Sequence, residues 1–215
     1  MTPKRKKPLA ATTAAAAAAF AIQAAAHAAV TVANYAPCKS TEGFGDFLAT
    51  VTYTYTGGTS ASLSVQLDNT TLPALGGYIT AFALNPGTGV TAMAFVSSTS
   101  ANFSGLSGPV STPPFGSFMT GASTGSGWLG GGSPNGGIGI GMSATFVFSM
   151  TGSAAALGAL DAETVLAAGC DAMAVRFRGG AVTGWSDKVL GQALPTPGTL
   201  AVAGLAALGR RRRRR

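Results

Sequence analysis

Residues 47–56 read FLATVTYTYT, and the two-residue period of that stretch decides the fold class. Successive side chains of a strand point to opposite faces. Phe47, Val51, Tyr53 and Tyr55 therefore share one face, while Thr50, Thr52, Thr54 and Thr56 share the other. Gly57-Gly58 then turns the chain, and residues 61–67 repeat the alternation with Leu63, Val65 and Leu67 opposed to Ser62, Ser64 and Gln66. That is a hairpin signal. Working outward, residues 77–84 and 90–96 flank the turn Asn85-Pro86-Gly87, and both are apolar on both sides, as inner strands are. Residues 102–114 read as a loop and 115–121 as a short strand. Residues 138–150 form the longest alternating run, with Ile138, Ile140, Met142, Ala144, Phe146, Phe148 and Met150 on one face and Ser143, Thr145, Val147 and Ser149 on the other, which predicts a central strand. Residues 173–178 place Met173, Val175 and Phe177 inward, with Arg176 and Arg178 opposite. The one helix pattern is 160–168, with Asp161 as N-cap, Glu163 in the first turn and Gly169 beyond its end. The expectation is an all-β domain over 29–193, a single antiparallel β-sandwich of jelly-roll type.

The net charge of +7 misleads until the charges are located. Ten of the fourteen Lys and Arg lie in Lys4–Lys7 and Arg210–Arg215, and the remaining four face seven acids, leaving the domain at −3. Basic character therefore belongs to the two ends, and no nucleic-acid partner is expected. Residues 1–28 have a basic start, an alanine-rich apolar stretch and the small-x-small triplet Ala26-His27-Ala28, which is the pattern of a secretory signal peptide. Cleavage after Ala28 by signal peptidase removes His27, the only histidine.

Export by the Sec route permits a disulfide, and Cys38 with Cys170 is the one pairing available. Two unpaired thiols are the alternative. No cofactor or metal is expected, since two thiols without histidine are a poor cage.

Residues 194–215 read LPTPGTLAVAGLAALGRRRRRR. Pro195, Thr196 and Pro197 form a stiff, extended segment. Gly198 and Thr199 follow it, then an apolar run, and Arg210, Arg211, Arg212, Arg213, Arg214 and Arg215 end the chain as a membrane stop under the positive-inside rule. This succession resembles the PEP-CTERM sorting signal of Gram-negative bacteria, which a membrane protease-transpeptidase called exosortase processes. Thr196 stands where the family usually has Glu, and the apolar stretch 199–209 is 11 residues long. A helix that crosses a bilayer needs about 20 residues. The resemblance implies transient contact with the inner membrane before processing, then a cell-surface or extracellular location. The segments GWLGGGSPNGGIGIG, TFVFSMTG, VRFRGG and GWSDKV also resemble recurring pieces of exported PEP-CTERM proteins of unassigned activity.

The residues do not suggest catalysis. A serine nucleophile lacks a histidine base, and glycoside hydrolysis would have to draw two carboxylates from Glu42, Asp46, Asp68, Asp161, Glu163, Asp171 and Asp187. The glycine-rich stretch 125–137 is followed by a strand pattern and lacks the Lys-Ser/Thr of a phosphate loop, so Trp128 in it either pins a surface loop or presents a sugar-stacking platform. Arg176, Arg178, Asp187 and Lys188 are the densest charge cluster, either a site for acidic polysaccharide or an internal ion pair of Asp187 with one of the arginines. The expected function is that of a non-enzymatic surface or exopolysaccharide-matrix protein. The alternative is a carbohydrate- or ice-binding module using the face of Thr50, Thr52, Thr54 and Thr56.

Overall fold

A computed structural model describes residues 28–129, 133–181 and 184–195. The signal peptide up to His27, the sorting residues from Thr196 onward, the apolar run and the six arginines lie outside the described residues. Twelve strands account for most of the described chain: β1 (Ala29–Ser40), β2 (Phe47–Tyr55), β3 (Ser60–Asn69), β4 (Gly76–Leu84), β5 (Val90–Ser98), β6 (Ser104–Leu106), β7 (Val110–Ser111), β8 (Ser117–Phe118), β9 (Thr120–Ser123), β10 (Ser143–Gly152), β11 (Met173–Gly180) and β12 (Ser186–Ala193). One short helix, α1 (Ala154–Gly158), is capped by the Ser153 hydroxyl, which accepts from Ala156 N.

Ten of the strands form one antiparallel sheet in the order β5-β10-β3-β2-β1-β12-β11-β4-β9-β6, and β7 pairs with β8 apart from it. The expected sandwich is therefore corrected to a nearly closed barrel. Instead of two sheets packing face to face, one sheet curls until its ends approach, which removes most of the exposed edge. Side chains close the seam. Gly105 of β6 lies under the Phe95 ring of β5, so close that an added Cβ would meet Phe95 Cβ at 2.6 Å.

The interior is filled by the apolar faces that the alternation identifies. Phe47, Ala49, Val51 and Tyr53 of β2, Leu63, Val65 and Leu67 of β3, and Ala144, Phe146, Phe148 and Met150 of β10 are all buried. Phe82 of β4 packs at a tilt against Phe146 with centroids 4.5 Å apart and meets Phe148 edge-on, while Phe148 also meets Phe95. The barrel is thus held by an aromatic chain that spans the seam. Its lower end is closed by tyrosines. The hydroxyl of Tyr53 donates to Leu157 O, that of Tyr35 to Ala162 O, and that of Tyr55 to Ala154 O.

Several local expectations change. Residues 160–168 are a turn, because the Asp161 carboxylate accepts from Glu163 N, Thr164 N and the Thr164 hydroxyl and closes a local loop that no helix follows. The long alternating run breaks at residues 139–142. Ile138 makes an isolated bridge to Ile79, Met142 is exposed, and the strand begins at Ser143, one place from the end of the sheet. β5 is an end strand with an exposed outer side, while β4 is buried on both faces as expected. β1 and β12 are additional strands that the sequence reading leaves out.

Phe148→Ala should lower the unfolding free energy by about 3–5 kcal/mol, because Phe148 is fully buried between Phe82 and Phe95. Denaturant unfolding followed by far-UV circular dichroism measures it.

Candidate functional site

Asp187, the second residue of β12, faces inward, opposite Phe177. It is fully buried. An ionised carboxylate there needs donors on every lone pair, and the β1–β2 connection supplies them. One carboxylate oxygen accepts from the hydroxyls of Ser40 (2.8 Å) and Thr41 (2.9 Å) and from the backbone N–H groups of Glu42 (3.0 Å) and Lys188 (2.7 Å). The other accepts from the Ser40 hydroxyl (2.8 Å), Phe44 N (2.9 Å) and Gly45 N (2.8 Å). Gly43 bends the loop with φ +76°. Gly45 lets the backbone lie on the Phe177 ring, which a Cβ would strike. Burial alone would raise the carboxyl's pKa, but the bonds from Gly45, Phe44, Ser40 and Glu42 outweigh it and hold the value below the usual carboxylate range.

The charge cluster read from the sequence is divided between two faces of the sheet. Arg176 pairs across the ladder with Lys188 and points outward, whereas Asp187 points in. Arg176 is nonetheless buried. The β7–β8 pair and Trp128, which follows β9, lie over the outer side of β4, β11 and β12, where Val110, Phe118 and Trp128 pack on Ala81, Ala83, Ala174 and Leu190. The Arg176 guanidinium donates to Trp128 O at 3.0 Å. Burial and then the nearby Arg178 charge lower its pKa. Trp128 is therefore a packing residue of this layer, and its ring is not presented as a platform. Cys38 and Cys170 are joined by a disulfide at the margin of the same layer, with Cα atoms 5.9 Å apart and a sequence separation of 132. Arg178 and Lys188 are partly exposed.

The rest of the outer surface is open. On β1, β2, β3, β10 and β5 the outward positions fall in register, in rows such as Asn34-Thr50-Gln66-Thr145, Val32-Thr52-Ser64-Val147-Ser97 and Val30-Thr54-Ser62-Ser149-Ala94. Hydroxyls and methyls recur about every 4.8 Å across the strands and about every 6.7 Å along them. The Thr50 hydroxyl donates to Asn34 Oδ1 at 3.1 Å. Among the described residues those of Thr52, Thr54, Ser62 and Ser64 have no protein hydrogen-bond partner. The one charged side chain in these rows is Asp68 at the end of β3, which accepts from Gln66 Nε2.

Other candidate sites carry less. A shallow depression lined by Asn85, Thr91, Met93, Pro109, Phe118 and Met119 holds no titratable group. Among the described residues no three His, Cys, Asp or Glu are grouped to hold a metal ion, and no helix is long and apolar enough to cross a membrane. Of the sorting residues only Pro195 is described, and of the signal-cleavage pair only Ala28, while Ala26 lies outside the described residues. Comparison of the chain with known protein families, with characterised proteins and with solved structures finds no match.

The Ser40-Thr41-Glu42-Gly43 turn is legible as a turn from its composition, but its role as the receptor of a carboxylate 147 residues away is not. Asp187→Asn should lower stability by about 2–4 kcal/mol, since the amide turns one acceptor into a donor facing N–H groups. The pH dependence has a definite sign. A lowered folded pKa gives stabilisation that is complete above the unfolded value of about 3.9 and is lost as pH falls through the folded value. Thermal unfolding between about pH 5 and pH 2 should show a steep decline for the unmodified protein and a shallower one for Asp187→Asn.

Proposed function

We propose that this chain is a non-enzymatic exported protein of the bacterial surface or exopolysaccharide matrix. Signal peptidase removes residues 1–28 after Sec export, and an exosortase handles the Pro-x-Pro, apolar and polyarginine succession. Its contact with the matrix is the open hydroxyl face of β1, β2, β3, β10 and β5. That face is the observation that carries the reading. Its rows offer hydroxyls that exchange hydrogen bonds with sugar hydroxyls and methyls that pack on sugar C–H groups, and its uncharged character favours a neutral polysaccharide over an acidic one. The disulfide is compatible with an oxidising compartment.

A second reading, binding to ice, is favoured by the regular repeat of Thr50, Thr52 and Thr54 beside Ser62 and Ser64. One retardation experiment separates the two. Passage over immobilised neutral polysaccharide, acidic polysaccharide and a growing ice surface should retard the protein on the neutral gel. Replacing Thr52 and Ser149 by Lys, which leaves the interior unchanged, should abolish the delay. Enrichment in ice alone would select the second reading, and passage without delay over all three would overturn both.

A further inference from the structure

The four cations of residues 29–193 are Lys39, Arg176, Arg178 and Lys188, and the β1–β12–β11 register gathers all of them on one patch of the outer surface. Lys188 stands directly opposite Arg176, Ser186 opposite Arg178, and Lys39 opposite Leu190, the next outward residue of β12. Like charges that face each other across a ladder repel. The acids do not relieve them. All seven lie among the described residues. Asp187 points inward to the corner at 41–46, Asp161 and Glu163 lie at the end closed by Tyr35, Asp68 ends β3, and Asp46 accepts from Phe47 N. Glu42 and Asp171 border the patch, through Thr41 N on Lys188 O and through the Asp171–Gly191 bridge, and neither forms an ion pair with its cations.

The same layer holds buried polar atoms that nothing satisfies. Arg176 is only 8% exposed and keeps its charge at any working pH. Its Nη1 donates to Trp128 O, but its Nε–H meets no acceptor. The buried Nε1–H of Trp128 meets none either. The Ser186 hydroxyl, diagonal to Arg176 on the outer face, is the third, and among the described residues these are the buried side-chain N and O atoms without a partner. Buried polar groups are nearly always hydrogen-bonded, so three orphans in one layer call for a common explanation. Two of them can only donate, so what completes them is an acceptor. An uncharged acceptor would leave the repulsion between Arg176 and Lys188 in place. An anion removes both defects at once.

We propose that this layer binds a small oxyanion, a carboxylate or a sulfate, received by Arg176 Nε, Trp128 Nε1 and the Ser186 hydroxyl, with Lys188 supplying a second charge from the open side. A guanidinium receives such groups in a fixed fork of N–H donors, and here Nη1 is committed to Trp128 O while Nε is not. Because the donors are buried, the group that reaches them is compact: a free ion, or the single carboxylate of an acidic sugar whose ring stays outside. The site is separate from the hydroxyl rows of β1, β2, β3, β10 and β5 and does not rest on the reading given to them.

Nitrogen–proton NMR of the full chain tests it, because Trp128 and Trp185 are the only two indoles and their Nε1–H signals separate readily. After exhaustive dialysis into chloride buffer, titration with sodium acetate or sodium sulfate at fixed ionic strength should shift Trp128 Nε1–H and Arg176 Nε–H along one saturable curve and leave Trp185 unmoved. Lys188→Gln, at a partly exposed side chain, should weaken binding about tenfold. Ser186→Ala should also weaken it, while the signals of the core stay in place. A galacturonate trimer that binds no more tightly than acetate identifies a free ion as the occupant, and a tighter trimer identifies a sugar-borne carboxylate. Trp128 and Arg176 signals that stay still, or that drift in proportion to salt without saturating, would overturn the proposal. So would an unchanged affinity in the Lys188→Gln chain.

Discussion

The buried carboxylate of Asp187 is the constraint on which the barrel's connectivity depends. β1 must serve β2 with one half and β12 with the other, and the chain must then reverse through residues 41–46 to start β2. That corner has few apolar side chains to hold it. Its hydroxyls and N–H groups instead converge on one anion delivered by β12. The arrangement fixes the corner's shape, brings Gly45 onto Phe177 and sets the β1–β12 register that runs to Leu194. A buried charge without such donors would be costly, and the donors without the charge would be left unsatisfied in the same low-dielectric space.

The two sides of the sheet follow from the same alternation but have different fates. Strands β1–β5 and β9–β12 each send one set of side chains inward to a common core. On the outside, β4, β11 and β12 carry small apolar residues and Arg176, and the long segment before β10 covers them with Val110, Phe118 and Trp128. The remaining strands carry Thr and Ser outside, and no described segment covers them. The uncovered half is therefore the candidate contact surface, and its chemistry is that of neutral hydroxyls.

How much was legible follows from what alternation encodes. The β2–β3 hairpin, the strand part of β10 and the inward set of β11 were readable because each has one apolar and one polar face. β1 was not, since Pro37 and Cys38 interrupt its pattern where a register shift lies. β12 hides its inward Asp187 among charges and glycines, so its period has a polar residue where an apolar one is expected. The turn at 160–168 has helix-start chemistry, but Asp161 uses it to close a local loop. Alternation also says that a face is buried without saying against what, so a sandwich and a barrel read alike. The pairing of Arg176 with Asp187 looked plausible because strand parity was not tied to the β11–β12 register, which puts them on opposite faces.

That this barrel is an exported protein trimmed at both ends is tested most directly by the intact mass of the protein recovered from the outer surface or culture medium of its native host. The account predicts loss of residues 1–28 together with everything after the Pro-x-Pro segment, with or without added glycan mass. Recovery of a chain that keeps all six terminal arginines would contradict it.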